Sequence, residues 1–119
     1  MSFEIKDSGA RQHFASGMQR DVSDGKIGYH RIFDGVLVDR LAVHLTLGAT
    51  KYPDCLDGSP NWLKADGEAE LIRFRESAVR HFRQWLRGDA DEDHFAAAIF
   101  NMNGYETVLS RHYAESNHT

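Results

Sequence analysis

Asp89-Ala-Asp-Glu-Asp-His94-Phe-Ala-Ala-Ala-Ile-Phe-Asn101-Met-Asn-Gly-Tyr105 is the stretch whose reading decides the fold. Projected at about 100° per residue, Asp91, His94, Ala98, Asn101 and Tyr105 share one stripe, and Phe95, Ile99 and Met102 lie beside it. This period predicts a helix. Asp89 followed by Glu92 has the form of a capping box, so the predicted helix begins near Ala90 and runs to about His112. Gly104 is its weak point, at a cost of about 1 kcal/mol relative to alanine. The stripe that ought to be apolar is half polar. Burying an aspartate, a histidine and an asparagine is costly unless each finds a partner, so the stripe calls for another helix, water, a metal or a ligand.

Working outward, Leu71, Phe74, Ala78, Phe82 and Trp85 predict a second helix, from Asp66 or Gly67 to Leu86, that Gly88 terminates. Leu37, Leu41, Leu45 and Gly48 mark a third, from about Asp34 to Tyr52, which Pro53 ends. Residues 53 to 65 contain both prolines and read as a connecting loop. The stretch Phe14 to Tyr29 has several glycines and no helical stripe, so it reads as loop with room for an isolated two-residue strand. Residues 1–13 are polar and aperiodic and read as a flexible arm, leaving 14–119 as a single helical domain. The expected fold is therefore all-α: a small bundle of three main helices plus an N-terminal loop segment. Three helices make a thin core, and a homo-oligomer, dimer or tetramer, would complete it.

Composition narrows the function classes. A chain of 119 residues fits one domain, and no apolar run is long enough for a membrane helix. The start, Met1-Ser2-Phe3-Glu4-Ile5-Lys6-Asp7, has no secretory character, so a cytoplasmic location is expected. The net charge of -4 argues against binding to a nucleic acid duplex. The single Cys55, beside Asp54 and Asp57, is read as a bystander. Charge is uneven along the chain, with Arg73, Arg75, Arg80, Arg83 and Arg87 crowding one helix just before the acidic run.

The candidate chemistry lies where these elements meet. His81 sits on the edge of the second helix's apolar stripe and is placed to face Asp91 or His94. Two histidines and a carboxylate from facing helices make a metal site, so His81, Asp91 and His94 are the expected ligands. Lys51, Tyr52, Asn61 and Trp62 flank the long loop, where aromatic faces suit a base and a lysine suits phosphate. Arg20 and Lys26, beside Gly17 and Gly25, are further phosphate candidates, although no P-loop spacing is present. Glu76 and Arg80 project to the polar side of their helix, where an i, i+4 ion pair is the simpler expectation. His13, His112 and His118 lie toward the ends of the chain and are set aside.

At these residues the chain resembles the N-terminal domain of dATP/dGTP diphosphohydrolases of phages and bacteria, distantly related to MazG-like all-α nucleotide pyrophosphohydrolases. The matching pieces are Phe14-Ala-Ser-Gly-Met-Gln-Arg-Asp21 with Gly25-Lys26, Gly48-Ala-Thr-Lys-Tyr52, Asn61-Trp62, Ala78-Val-Arg-His81 with Trp85 and Gly88, and Asp91-Glu-Asp-His94 leading to Asn101. The resemblance implies an oligomeric helical protein that binds a purine nucleotide and cleaves the triphosphate to monophosphate and pyrophosphate. It also implies a divalent metal, manganese or magnesium, and a carboxylate that orients water. MazG-like enzymes carry Glu-Glu-x-x-Glu on one helix and Glu-x-x-Asp on the next. The second motif maps onto Asp91 and His94, whereas the first has a counterpart only in Glu76 followed by Arg80 and His81. The site implied is Glu76 and Asp91 for catalysis, with Lys51, Tyr52, Asn61, Trp62, Arg80, Asn101, Arg20 and Lys26 for the nucleotide. Two other readings use the same residues: a phage protein that sequesters a nucleotide without cleaving it, and an interaction module whose polar stripe is an oligomer interface.

Overall fold

The computed structural model describes residues 2–116. His118 and the end of the expected 14–119 domain lie outside the described residues. The chain divides into two units, one ending at Arg31 and the other beginning at Ile32. In the first, strands β1 (Arg11–His13) and β2 (Gln19–Asp21) pair antiparallel, with Arg11 opposite Asp21 and His13 opposite Gln19. Phe14 donates to the Met18 carbonyl at 3.0 Å and Gly17 to the Phe14 carbonyl at 2.9 Å, closing the turn. The end of the stretch read as a flexible arm, residues 11–13, and part of the stretch read as loop, residues 19–21, therefore pair as a short hairpin. Its strands lack the usual signal because they bury neither face, so no apolar alternation is written into them.

The second unit holds helices α1 (Leu37–Lys51), α2 (Glu68–Arg87) and α3 (His94–Ser116), with a 3-10 turn at Asn61–Lys64. The expected all-α bundle of three main helices is what forms. Among the described residues no helix is long and apolar enough to cross a membrane.

Local chemistry sets the ends of α2. The Glu70 carboxylate accepts from the Gly67 N–H at 2.9 Å. At the other end Gly88 adopts φ 78°, which a glycine reaches without strain. There the Gly88 N–H bonds to the Trp85 carbonyl and the Asp89 N–H to the Gln84 carbonyl, each at 3.0 Å.

Helix α3 starts later than the capping-box reading predicts. It begins at His94 because Asp93, not Asp89, caps it: Asp93 Oδ1 accepts from the Ala96 N–H at 3.0 Å. The Asp89 carboxylate is engaged instead by Arg87 at 2.6 Å. Asp91 consequently precedes the helix rather than riding on it.

The core is built along α3. Phe74 lies against Gly104, and His81 on α2 lies against His94 at the start of α3, so the two helices run antiparallel. Phe100 joins three other elements, with ring centroids 5.6 Å from His44, 5.7 Å from Trp62 and 6.2 Å from Phe74. Arg111 ties the loop before α2 to α3 by donating to the carbonyls of Leu63 at 2.8 Å and Ala65 at 3.0 Å. Gly104 is a packing requirement, since a Cβ there would overlap the Phe74 ring.

A candidate metal and nucleotide site at the α2–α3 junction

The sharp stop of α2 at Gly88 and the cap of α3 at Asp93 hold Asp89 to Glu92 as a tight connection, and its polar groups converge on His94. That residue is only 2% exposed. Its Nε2 lies 2.7 Å from Asp91 Oδ1, and its Nδ1 lies 2.9 Å from Nδ1 of His81. A carboxylate at Nε2 fixes the proton there, so the His94 Nδ1 lone pair is turned toward His81. Asp91 is held below the usual carboxylate range by the hydrogen bond from His94 and stays ionised. Burial, aided by the charge of Arg80, pushes His81 down and favours its neutral imidazole.

Glu92 completes the cluster. Donor atoms of His81, Glu92 and His94 lie within 4.8 Å of one another. The chemistry of this donor set fits a divalent cation. Two imidazoles whose Nδ1 atoms face each other 2.9 Å apart, with a carboxylate beside them, would supply nitrogen and oxygen donors to such a cation. Asp91 then occupies the usual place of an outer carboxylate that orients a ligating histidine. Gln84 Oε1, one turn along α2 from His81, is the buried side-chain oxygen left without a hydrogen-bond partner among the described residues.

The remaining acid of the run has another task. Asp93 accepts from Arg40 Nε at 2.9 Å and Nη2 at 2.5 Å, and this guanidinium holds its carboxyl down to about 2. The Arg40 guanidinium also lies 4.6 Å above the Phe95 ring, tying α1 to the start of α3.

The structure places His94 against both His81 and Asp91, and the carboxylate that groups with the two histidines is Glu92, which the sequence had offered as a capping acid. Arg40 was missed because its partner lies far away in the chain. Asn101 lies on α3 and is half-buried, with its amide donating to the Ala97 carbonyl at 2.8 Å. Trp62 packs edge-on against Phe100, while Tyr52 is exposed and has Lys51 Nζ 5.3 Å above its ring. Asn61 opens the 3-10 turn beside Trp62. Glu76 and Arg80 are exposed and line a shallow groove on the outside of α2 with Ile72, Arg75, Val79 and Arg83. Glu76 is about 140° around α2 from His81, so within one chain it does not join the cluster. Arg20 and Lys26 are exposed in the N-terminal unit.

Fold and site together define a small all-α domain whose polar side chains gather where two antiparallel helices meet. The chain belongs to the family described as dATP/dGTP diphosphohydrolase, N-terminal, whose model matches residues 16–116. No curated protein and no solved structure matches it.

Proposed function

We propose that the chain is a metal-dependent nucleotide pyrophosphohydrolase, acting in the cytoplasm on purine deoxynucleoside triphosphates to give monophosphate and pyrophosphate. The observation that carries this reading is the buried His94, held by Asp91 at 2.7 Å and facing His81 at 2.9 Å, in a chain of this family. His81, Glu92 and His94 would hold the cation, manganese or magnesium, and Asp91 would orient His94. When bound, a divalent cation supplies charge neutralisation of the polyphosphate and a more acidic water.

The chain's own groups do the rest. The ionised Asp91 keeps one oxygen on His94 and uses the other to align a water for attack on the α-phosphorus and to accept its proton. The bond from that phosphorus to the bridging oxygen breaks, and pyrophosphate leaves. Lys51 and Arg80 are the cations offered to phosphates, and the exposed Tyr52 is the surface offered to the base.

Incubation with each dNTP and NTP, with manganese, magnesium or chelator, followed by chromatography of the products, tests the reading. Monophosphate and pyrophosphate should appear only with metal, and Asp91→Asn should lower kcat by 100-fold or more, on the order expected for removal of an acid–base group. One feature favours a second reading, a binder that retains the nucleotide intact. Glu76 lies on the outside of α2, so among the described residues a single chain brings two carboxylates, Asp91 and Glu92, to the histidines, and Asp91 is already bonded to His94. Retained, uncleaved nucleotide with every metal would establish the binder and overturn the enzyme.

A further inference from the structure

Of the three grouped donors, His81 stands on α2, while Glu92 and His94 hang from one short turn. Only Asp93 separates them, and the His94 N–H donates to the Glu92 carbonyl at 3.0 Å, so Asp93 is the apex of a closed three-residue turn. Whatever fixes the apex fixes the spacing of the two donors. Here α1 does so. Arg40 grips the Asp93 carboxylate at two points, Nε at 2.9 Å and Nη2 at 2.5 Å, and the oxygen that meets Nη2 also accepts the Ala96 N–H at 3.0 Å. The guanidinium lies 4.6 Å above the Phe95 ring as well, so Arg40 touches the residues on both sides of His94. One turn further along α1, the His44 ring packs 5.6 Å from Phe100 and seats the helix on α3.

The Arg40 and Asp93 side chains are 43% and 32% exposed. An ion pair this open to water adds little to stability, but a two-point fork also supplies direction, holding the carboxylate in one orientation where a lysine would allow several. We propose that Arg40 is a positioning residue for the cation site, with His81, Glu92 and His94 taken, as in the proposed function, to be the donors. By clamping Asp93 from α1 it sets the spacing of Glu92 and His94, and with it the affinity for the cation. Arg40 itself touches neither cation nor nucleotide. It acts through Asp93, as groups behind a metal's ligands hold those ligands in place. A neutral residue of similar reach leaves the turn to its backbone bonds, and a lysine restores the charge without the fork.

Titration of the full chain with manganese(II) alone, the free ion being followed by electron paramagnetic resonance, tests the positioning role. Wild type should bind the ion, His94→Ala should abolish binding, and Arg40→Gln should raise Kd about tenfold, as for loss of a group behind a ligand. Arg40→Lys should raise it only about threefold, a partial rescue by the retained charge. Phe100→Ala leaves the fork in place while weakening the core, so its Kd should stay within about twofold of wild type. Circular dichroism checks that each variant keeps its helices. Phe100→Leu replaces Phe100→Ala if helix is lost, and Arg40→Lys carries the comparison if Arg40→Gln loses it. Arg40 variants that bind as tightly as wild type overturn the positioning role and leave the donors standing. A Phe100 variant weakened as far as Arg40→Gln overturns it too, because affinity then follows stability. Wild type without bound manganese(II), or binding that survives His94→Ala, overturns instead the donor set on which the role depends.

Discussion

The two sides of α2 use apolar residues in opposite ways. On the inner side Phe74 meets Gly104 and His81 meets His94 of α3, and Phe100 gathers rings from α1, α2 and the 3-10 turn. On the outer side Ile72, Val79 and Leu86 have similar hydrophobicity and remain more than half exposed. Helical periodicity alone ranks the two faces alike. What separates them is shape: the inner face has a glycine opposite Phe74, so backbones approach closely and His94 is sealed from water. Among the described residues the outer face has no such glycine opposite it.

The largest effect should come from the hub of the inner side. Phe100→Ala removes contacts with three aromatic neighbours and should cost about 3 kcal/mol in urea unfolding. A loss below about 1 kcal/mol would mean that the hub does not hold the helices together. Gly104→Ala comes next. Its Cβ meets the Phe74 ring, an overpacking cost of about 1–3 kcal/mol partly offset by about 1 kcal/mol of helix propensity. Adding Phe74→Leu should recover part of that loss, and failure to do so would separate Gly104 from the Phe74 contact.

Asp93→Ala removes the cap of α3 and should cost about 1 kcal/mol. This effect has a pH signature. Because Arg40 holds the folded Asp93 carboxyl at about 2, below the unfolded value of about 3.9, its contribution is complete above pH 4 and is lost as pH falls toward 2. An acid titration of unfolding free energy should therefore be flatter over that window in Asp93→Asn than in wild type. The smallest effect belongs to the outer side. Val79→Ser should change stability by no more than about 0.5 kcal/mol, and a larger change would show that the outer stripe is packed within one chain.

Much of the bundle could be read from local pattern. The stop at Gly88, the stop before Pro53 and the inner face of α2 are short-range consequences of glycine geometry, proline sterics and the 3.6-residue period. The start of α3 was misplaced because three acids in the run Asp89 to Asp93 could each cap a helix, and local pattern cannot rank them. Arg40 decides between them by pairing with Asp93 from α1, an interaction between residues distant in sequence. The hairpin was equally hidden, since exposed strands carry no alternation. At the site, the Asp91 and His94 pair was visible as a polar break in an apolar stripe, whereas the inclusion of Glu92 and the outward position of Glu76 depend on how the connection folds.

The sequence by itself determined that this would be a small three-helix domain of its family, with a histidine and acids at the point where a helix ought to have been apolar. Period, breakers and motif order are local quantities, and a linear chain carries them whole. The tertiary structure decided which acid caps α3, which carboxylate joins the two histidines and which of α2's two apolar faces is covered. Those outcomes depend on distances between residues far apart in the chain, and such distances exist only once Phe74 has settled against Gly104 and His81 against His94.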